Sequence, residues 1–478
     1  MAKFKELCFL TIQEAVGGLK KKKFSAVELT KACLERINEI DKKIFAFLTV
    51  DSKGALKQAE KVDKLISTDD ATVFDQKPLL GIPVAFKDLF TTKDLRTSAG
   101  SKIIEDYVPP FDATVVKRIR EAGAIVMGKT NEDAWGHGSS GENSDYDPTR
   151  NPYNLARVPG GSSSGSAAAV SSGECLMATG TDTGSSVRLP AAFCNLVGLK
   201  PTYGRVSRYG IIAMASSFDT IGHLTHTVYD NAKILEITAG KDHYDATTPD
   251  IVVPHYSNLL HRKISDLKIG VPKEYFVDGM DKRVEKNIND AINEFKSLGA
   301  RVQTISLPHT DVAMACYYIL IPSEVSSNLA RFDGVRYGGE RSLFGAEAKR
   351  RIMLGTYTLS AGYYDAYYLK AAKVRRLIKQ DFENAFKEVD IVIAPSSPTP
   401  PFKIGEKAND PLQMYLSDIF VCPVNIAGVP ALNIPSGFID GLPVGIQIIG
   451  PHFREELLYQ VGYAFEQKTL YYKVKPNI

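Results

Sequence analysis

Gly160-Gly161-Ser162-Ser163-Ser164-Gly165-Ser166-Ala167-Ala168-Ala169-Val170 is a Gly/Ser tract that runs without a break into an Ala-rich segment. Alanine has the highest helix propensity, so Ala167–Val170 reads as helix. A flexible linker would hand over to a new domain, whereas a tract that opens a helix in mid-chain reads as a tight loop inside one core. No Lys-Ser or Lys-Thr closes it, so it is not a phosphate-cradling Walker A loop. Gly161-Ser162-Ser163-Ser164-Gly165 satisfies the G-x-S-x-G pattern of a nucleophile elbow, but a Gly/Ser tract meets so short a pattern by chance. An elbow also needs a late histidine, and His452 is the only one beyond residue 309.

The sequence around this loop alternates short apolar runs with helical stretches, which is α/β patterning. Upstream, Gly81–Phe86 reads as a strand, Ala113–Ala122 as a helix and Ala124–Met127 as a strand. Downstream, strands are expected at Lys268–Pro272, Ala300–Ile305, Ile391–Ala394, Ala431–Pro435 and Val444–Ile449. Helices are expected at Asp281–Leu298, Tyr364–Val389 and Glu455–Glu466. The first seventy residues look helical, with capping boxes at Thr11/Glu14 and Ser25/Glu28 and a buried face of Leu29, Cys33, Leu34 and Ile37. The expectation is an N-terminal helical cover over residues 1–70 packed on an α/β domain over 71–478, with a large central mixed sheet sandwiched between helices.

With 478 residues, the chain is long enough to bury a closed site. Its 44% hydrophobic and 24% charged content fits a globular protein and excludes the disordered and collagen-like classes. The net charge of +3 comes without a basic stripe, so no direct grip on nucleic acid is implied. The one run, Lys20–Lys23, reads as a solvated helix end. Six cysteines lie far apart with no C-x-x-C pair, against a disulfide scaffold or a zinc site and in favour of a reducing, cytoplasmic setting. No stretch of eighteen apolar residues appears, so no membrane span is expected.

Two further segments carry chemistry. Thr179-Gly180-Thr181-Asp182-Thr183-Gly184-Ser185-Ser186-Val187-Arg188 follows the apolar Leu176–Ala178 and reads as a tight turn, whose small residues let backbone N–H groups converge as an oxyanion hole requires. Gly81-Ile82-Pro83-Val84-Ala85-Phe86-Lys87-Asp88 sets a lysine among apolar neighbours, where desolvation lowers its pKa toward that of a base. Taken singly, each has a structural explanation: a Gly-rich turn, or a lysine snorkelling from a strand end.

Together, GIPVAFKD, GGSSSGSAAA and TDTGSSVRLPAA resemble the amidase signature family. The resemblance implies Ser186 as nucleophile, Ser162 twenty-four positions earlier as the bridging serine on a cis peptide bond, and Lys87 seventy-five positions before that as the base. It also implies an oxyanion hole from the N–H groups of Thr183, Gly184, Ser185 and Ser186. Lys200–Thr220, Met353–Lys373, Asp410–Phe420 and Asp440–Phe453 resemble the glutaminase components of glutamyl-tRNA(Gln) amidotransferases within that family. For these the resemblance implies a glutamine pocket with Arg351 for the α-carboxylate, Asp418 for the α-ammonium, and Tyr317. It further implies two partners in a heterotrimer, the B and C subunits of the amidotransferase. ATP, Mg2+ and tRNA are then handled mainly by the B component, with no cofactor or metal on this chain.

The chain departs from the family pattern at Ser164 and Ser185, both usually glycine, at His137, more often Met, and at His223, which replaces a Pro. Between Tyr337 and Phe344 a surface helix looks trimmed. Two alternatives therefore stay open at this level: a stand-alone amidase on another small amide, and a catalytically silent structural subunit.

Overall fold

The computed structural model describes residues 6–68, 72–408 and 410–478. Among them, eleven strands form one sheet: β1 (Phe47–Val50), β2 (Pro83–Lys87), β3 (Ile125–Thr130), β4 (Met177–Asp182), β5 (Val197–Lys200), β6 (Thr220–Thr225), β7 (Lys268–Pro272), β8 (Arg301–Ile305), β9 (Ile391–Pro395), β10 (Ala431–Ile439) and β11 (Leu442–Ile449). Their order is β1-β3-β2-β4-β6-β5-β10-β11-β9-β7-β8. β2 runs parallel to both β3 and β4, while β4–β6, β5–β6 and β10–β11 are antiparallel, so the sheet is mixed. Every residue of β2 to β6 is buried, which is why these strands are mostly small or apolar on both faces and do not alternate; the charged residues they carry, Lys87, Lys129, Asp182 and Lys200, stand at or next to their ends. This is the mixed α/β architecture expected from the alternation of elements.

The N-terminal helices Ile12–Lys20 and Ala26–Ile44 begin at the two expected capping boxes, each with both reciprocal hydrogen bonds present. Residues Phe47–Val50 depart from the expected all-helical segment: they form β1 and pair antiparallel with β3. A four-residue run between two helices is too short to show a period of its own. The expected division between residues 70 and 71 lies outside the described residues. Apolar side chains of the helices Ile12–Lys20, Ala26–Ile44 and Ser52–Ile66 belong to the same buried cluster as the sheet. The lysines at 20–23 are exposed, as a solvated helix end requires.

Elsewhere the elements fall close to expectation, with ends that shift for identifiable reasons. Asp281 is the N-cap of Lys282–Ser297, its side chain accepting from the Arg283 N–H. The long helix expected from Tyr364 starts as an i→i+5 turn, Asp365–Leu369, and becomes α-helical at Lys370–Glu388. β4 continues through Thr179–Asp182, so the turn expected from Thr179 begins only at Thr183. The segment between Tyr337 and Phe344 carries a short 3-10 turn, Arg341–Leu343. All six cysteines are buried, and none forms a disulfide. No helix among the described residues is long and apolar enough to cross a membrane.

Candidate active site

The helix Ser164–Ser171 is buried along its whole length, so the Gly/Ser tract is a loop delivered into the core by its own helix. The Gly161–Ser162 peptide bond is cis. Lys87 is the last residue of β2, and β4, its parallel neighbour, ends at Asp182 immediately before the small-residue turn. Three sequence-distant segments thus meet at one end of adjacent strands.

Lys87 is completely buried, so it does not snorkel. Its Nζ lies 2.7 Å from Ser162 Oγ, 3.2 Å from Ser163 Oγ and 2.9 Å from Thr181 Oγ1. Glu132 Oε2 is 3.4 Å away. Burial pushes the lysine pKa below its ordinary value, and the carboxylates of Glu132 and Asp133 pull it back up. Ser186 is buried, and its carbonyl accepts from the Ser163 N–H at 3.2 Å, which ties the two serine-bearing segments together.

Asp182 holds the turn from both ends. It accepts the N–H groups of Val187 and Arg188, leaving the turn's own donors, Thr183 to Ser186, outside that cap. Arg188 in turn bonds Gln447, Asn425 and the carbonyls of Gly184 and Val421. Burial opposes the charge on Asp182, but Arg188 and Asn425 outweigh it and hold its pKa below the ordinary carboxylate value. Gly184 has no room for a side chain: a Cβ there would sit 2.5 Å from the Tyr317 hydroxyl. Tyr317 is therefore seated against the turn, whereas its neighbour Tyr318 stacks on Tyr415 with centroids 3.8 Å apart and lies under the Arg351 guanidinium.

Arg351, on the helix Ala346–Thr358, is buried, with Nε bonded to Glu347 Oε1 at 2.8 Å and Nη1 lacking any hydrogen-bond partner among the described residues. Asp418 is buried too. Its Oδ2 accepts from Ser139 Oγ at 2.5 Å, and its Oδ1 has no partner among the described residues. Burial pushes the Asp418 pKa up to about 6, against the pull of Ser139, Ser185 and Arg351. A buried cation and a buried anion, each with an atom left unbonded, make a site that favours a ligand of both signs, because orphaned buried groups are costly. A cavity of about 130 Å3 opens onto Ser139, Arg351 and Tyr415. A larger one, about 780 Å3, lies elsewhere, between Ile103, Tyr107, Phe332 and Tyr337; its walls are mainly apolar, and none of the candidate site residues lines it.

Two departures from the family pattern are accommodated. Ser185 is not in the left-handed region, so no backbone conformation there calls for glycine, and its side chain lies beside Asp418. Ser164 opens its helix with Oγ 3.3 Å from Thr149 Oγ1. His223 is buried in β6 with Nε2 2.8 Å from Thr238 Oγ1, and burial pushes its pKa down to about 3. His137 is buried with neither ring nitrogen partnered among the described residues, and burial together with Arg351 keeps it neutral.

Glu132, Thr181, Ser139 and Glu347 join the site without having been singled out in the sequence. Glu132, Ser139 and Glu347 sit in no recognisable motif, whereas Thr181 opens the TDTGSSVRLPAA segment; for Glu132 the available signal was its position just beyond the buried strand β3.

A family model described as Amidase matches residues 28–459. The A subunit of the glutamyl-tRNA(Gln) amidotransferase from Carboxydothermus hydrogenoformans is 52% identical, over 99% of this chain and 100% of that one. The crystal structure of the corresponding glutamyl-tRNA(Gln) amidotransferase component from Thermotoga maritima superposes with a TM-score of 0.82 at 42% identity, covering 96% of this chain and 95% of the other. A peptide amidase from Stenotrophomonas maltophilia superposes with a TM-score of 0.83 at 30% identity, over 98% of each chain.

Proposed function

The chain belongs to the amidase family, and from that premise we propose that it is the glutaminase component of a tRNA-dependent amidotransferase, releasing ammonia from glutamine for a partner protein. The observation that carries this reading is the Lys87 amine, fully buried and 2.7 Å from Ser162 Oγ, with Ser186 in the adjoining turn. Lys87, when neutral, takes the proton of Ser162, and Ser162 takes that of Ser186 as its oxygen adds to the side-chain amide carbon. Positive charge develops on the amine and negative charge on the carbonyl oxygen, where N–H groups of Thr183–Ser186 would hold it; one such donor is worth about 3–4 kcal/mol. The proton returns along the same chain to the leaving nitrogen, ammonia departs, and water hydrolyses the acyl-serine.

Glutamine is favoured over other amides by the pair of unbonded charges. Arg351 Nη1 offers a donor to an α-carboxylate and Asp418 Oδ1 an acceptor to an α-ammonium, with Tyr317 beside the turn. ATP and Mg2+ belong, in this reading, to the partner, since the sequence has no phosphate-cradling lysine motif. The B and C subunits of the amidotransferase are the expected partners, tRNA is met mainly through the former, and the setting is cytoplasmic.

Ammonia release from glutamine by the full chain, alone and with both partners and charged tRNA, tests the proposal. Glutamine cleavage that depends on Ser186 and rises with the partners supports it. Cleavage of other small amides in preference to glutamine would instead make the chain a stand-alone amidase, and no turnover with no adduct on Ser186 a silent structural component.

A further inference from the structure

Three carboxylates exert their charge on Lys87: Glu132, Asp133 and Asp182. Two are committed elsewhere. Asp133 accepts the N–H groups of Gly141 and Asn143, and Asp182 is bound by Arg188 and Asn425. Glu132 is different. It is completely buried, and among the described residues neither of its oxygens takes a hydrogen bond from any group other than Lys87, whose ammonium nitrogen lies 3.4 Å from Oε2.

The placement follows from the strand pairing. β2 and β3 run parallel with Phe86 opposite Lys129 and Lys87 opposite Thr130. Each strand carries a lysine at or next to its end whose counter-ion comes from the other strand's exit: Lys87, the last residue of β2, meets Glu132 beyond β3, and Lys129, the last but one of β3, meets Asp88 beyond β2 at 3.4 Å. The second pair has further hydrogen bonds: Lys129 also donates to the Phe90 carbonyl and Thr97 Oγ1, and Asp88 Oδ2 accepts from the N–H and Oγ of Ser98. Gly100 closes the floor: a Cβ there would lie 3.1 Å from Glu132 Cγ. Asp88 and Lys129 are the other charges that act most strongly on Glu132, Asp88 opposing its charge and Lys129 favouring it.

A purely structural ion pair in such a place would be expected to take hydrogen bonds beyond its ionic partner, as Asp88 Oδ2 does from Ser98 and Gly100. Glu132 does not, and its one partner is the amine that has to change charge during turnover. We propose that Glu132 is a positioning residue for the general base, its carboxylate stabilising the Lys87 ammonium at the moment the proton leaves the serine pair. The proton balance is closed: the Ser186 O–H bond breaks as its oxygen bonds the amide carbon, its proton goes to Ser162 Oγ and the Ser162 proton goes to Nζ; when the C–N bond breaks, Nζ gives its proton back to Ser162 and Ser162 gives one to the departing nitrogen, which leaves as ammonia.

The pair titrates as a unit. Burial pushes Glu132 up to about 8 and Lys87 down, and each ion restrains the other. The reactive form is neutral amine beside carboxylate, reached when the pair gives up its last proton as pH rises. Removing the carboxylate leaves a desolvated lysine with only the charges of Asp133 and Asp182 to support its ammonium, so it loses its proton at lower pH and is a weaker base.

This inference rests on the glutaminase reading. The test is the pH profile of kcat for glutamine hydrolysis by the full chain and its Glu132→Gln variant, with labelling of Ser186 by a glutamine-derived diazoketone run in parallel. The acid limb should move down by about 1–3 pH units, the range for loss of an adjacent opposite charge. The plateau should fall roughly tenfold, in line with the weaker base. A lower plateau with an unmoved limb, while the wild type turns over and is labelled, overturns the role of Glu132 alone. No turnover and no label in the wild type overturns the glutaminase reading and this inference with it. Should Glu132→Gln fail to fold, Glu132→Asp, which retracts the charge by one methylene, should shift the limb in the same direction by less, and an unshifted limb again rejects the proposal.

Discussion

The Arg188 guanidinium lies side-on against the Asp182 carboxylate, with Nε 3.1 Å from Oδ2 and Nη2 3.0 Å from Oδ1. The two residues bracket the turn that carries Ser186, so the clamp fixes the ends of the segment whose N–H groups have to converge. Breaking it leaves a buried charge without its partner, which costs about 3–5 kcal/mol. Arg188→Ala should therefore lower the melting temperature and abolish amide hydrolysis. Lysine cannot reproduce a side-on fork, so Arg188→Lys should fold but turn over slowly. Because the Asp182 pKa is depressed, its contribution to stability is present above the unfolded carboxylate value and is lost as pH falls below it. Thermal unfolding followed from pH 7 downward checks the sign.

Gly184 and Tyr317 cannot both keep their places if residue 184 gains a methyl group, since a Cβ would stand 2.5 Å from the phenolic oxygen. Overpacking of this kind costs about 1–3 kcal/mol. Gly184→Ala should reduce kcat/KM well beyond its effect on stability, because the strain falls on the turn itself. The double variant Gly184→Ala, Tyr317→Phe removes the clashing oxygen and should recover part of the loss. Recovery of none would mean that Tyr317 does not press on the turn.

The contact between Lys87 and Ser162 was legible because each residue sits in a local motif whose small or apolar neighbours announce a buried setting. The same holds for Thr183–Ser186, although Thr179–Asp182 are strand residues: Thr and Gly in a run read as turn, and only pairing with β6 reveals otherwise. β1 was not legible, for four residues between helices have no periodicity to read. Glu132 was the least visible. Its significance depends on β2 lying beside β3, a relation set by strand order and absent from any local window. Arg351 and Asp418 had ordinary local explanations, a surface ion pair and a helix cap; what distinguishes them is burial with an atom left unbonded, a property of the assembled fold.

If Arg351 binds an α-carboxylate, its loss should appear in KM and leave the chemical step largely alone. Hydrogen bonds to charged groups contribute about 1.5–3 kcal/mol, so Arg351→Gln should raise KM for glutamine by roughly 10- to 100-fold. Glu347 anchors Nε, and Glu347→Gln should give a smaller rise in the same direction. A fall in kcat with KM unchanged would place Arg351 in the chemical step and outside the binding pocket.

Asp418 sets a second pH limit, separable from that of the base. Its carboxyl is pushed up to about 6 by burial, and the proposed α-ammonium contact requires the charged form. As pH falls through about 6 the carboxylate takes up a proton and the attraction for glutamine is lost, so KM should climb below that point. The effect belongs to free enzyme and therefore to kcat/KM, whereas the ionisation at Lys87 governs kcat in the bound complex. Asp418→Asn should raise KM at neutral pH and flatten its climb toward acid. Ser139→Ala removes the 2.5 Å hydrogen bond that favours the charged form, and should shift the climb to higher pH. A KM that ignores pH between about 5 and 7 in the wild type, a window centred on the Asp418 value, would show that Asp418 is not the ammonium's partner.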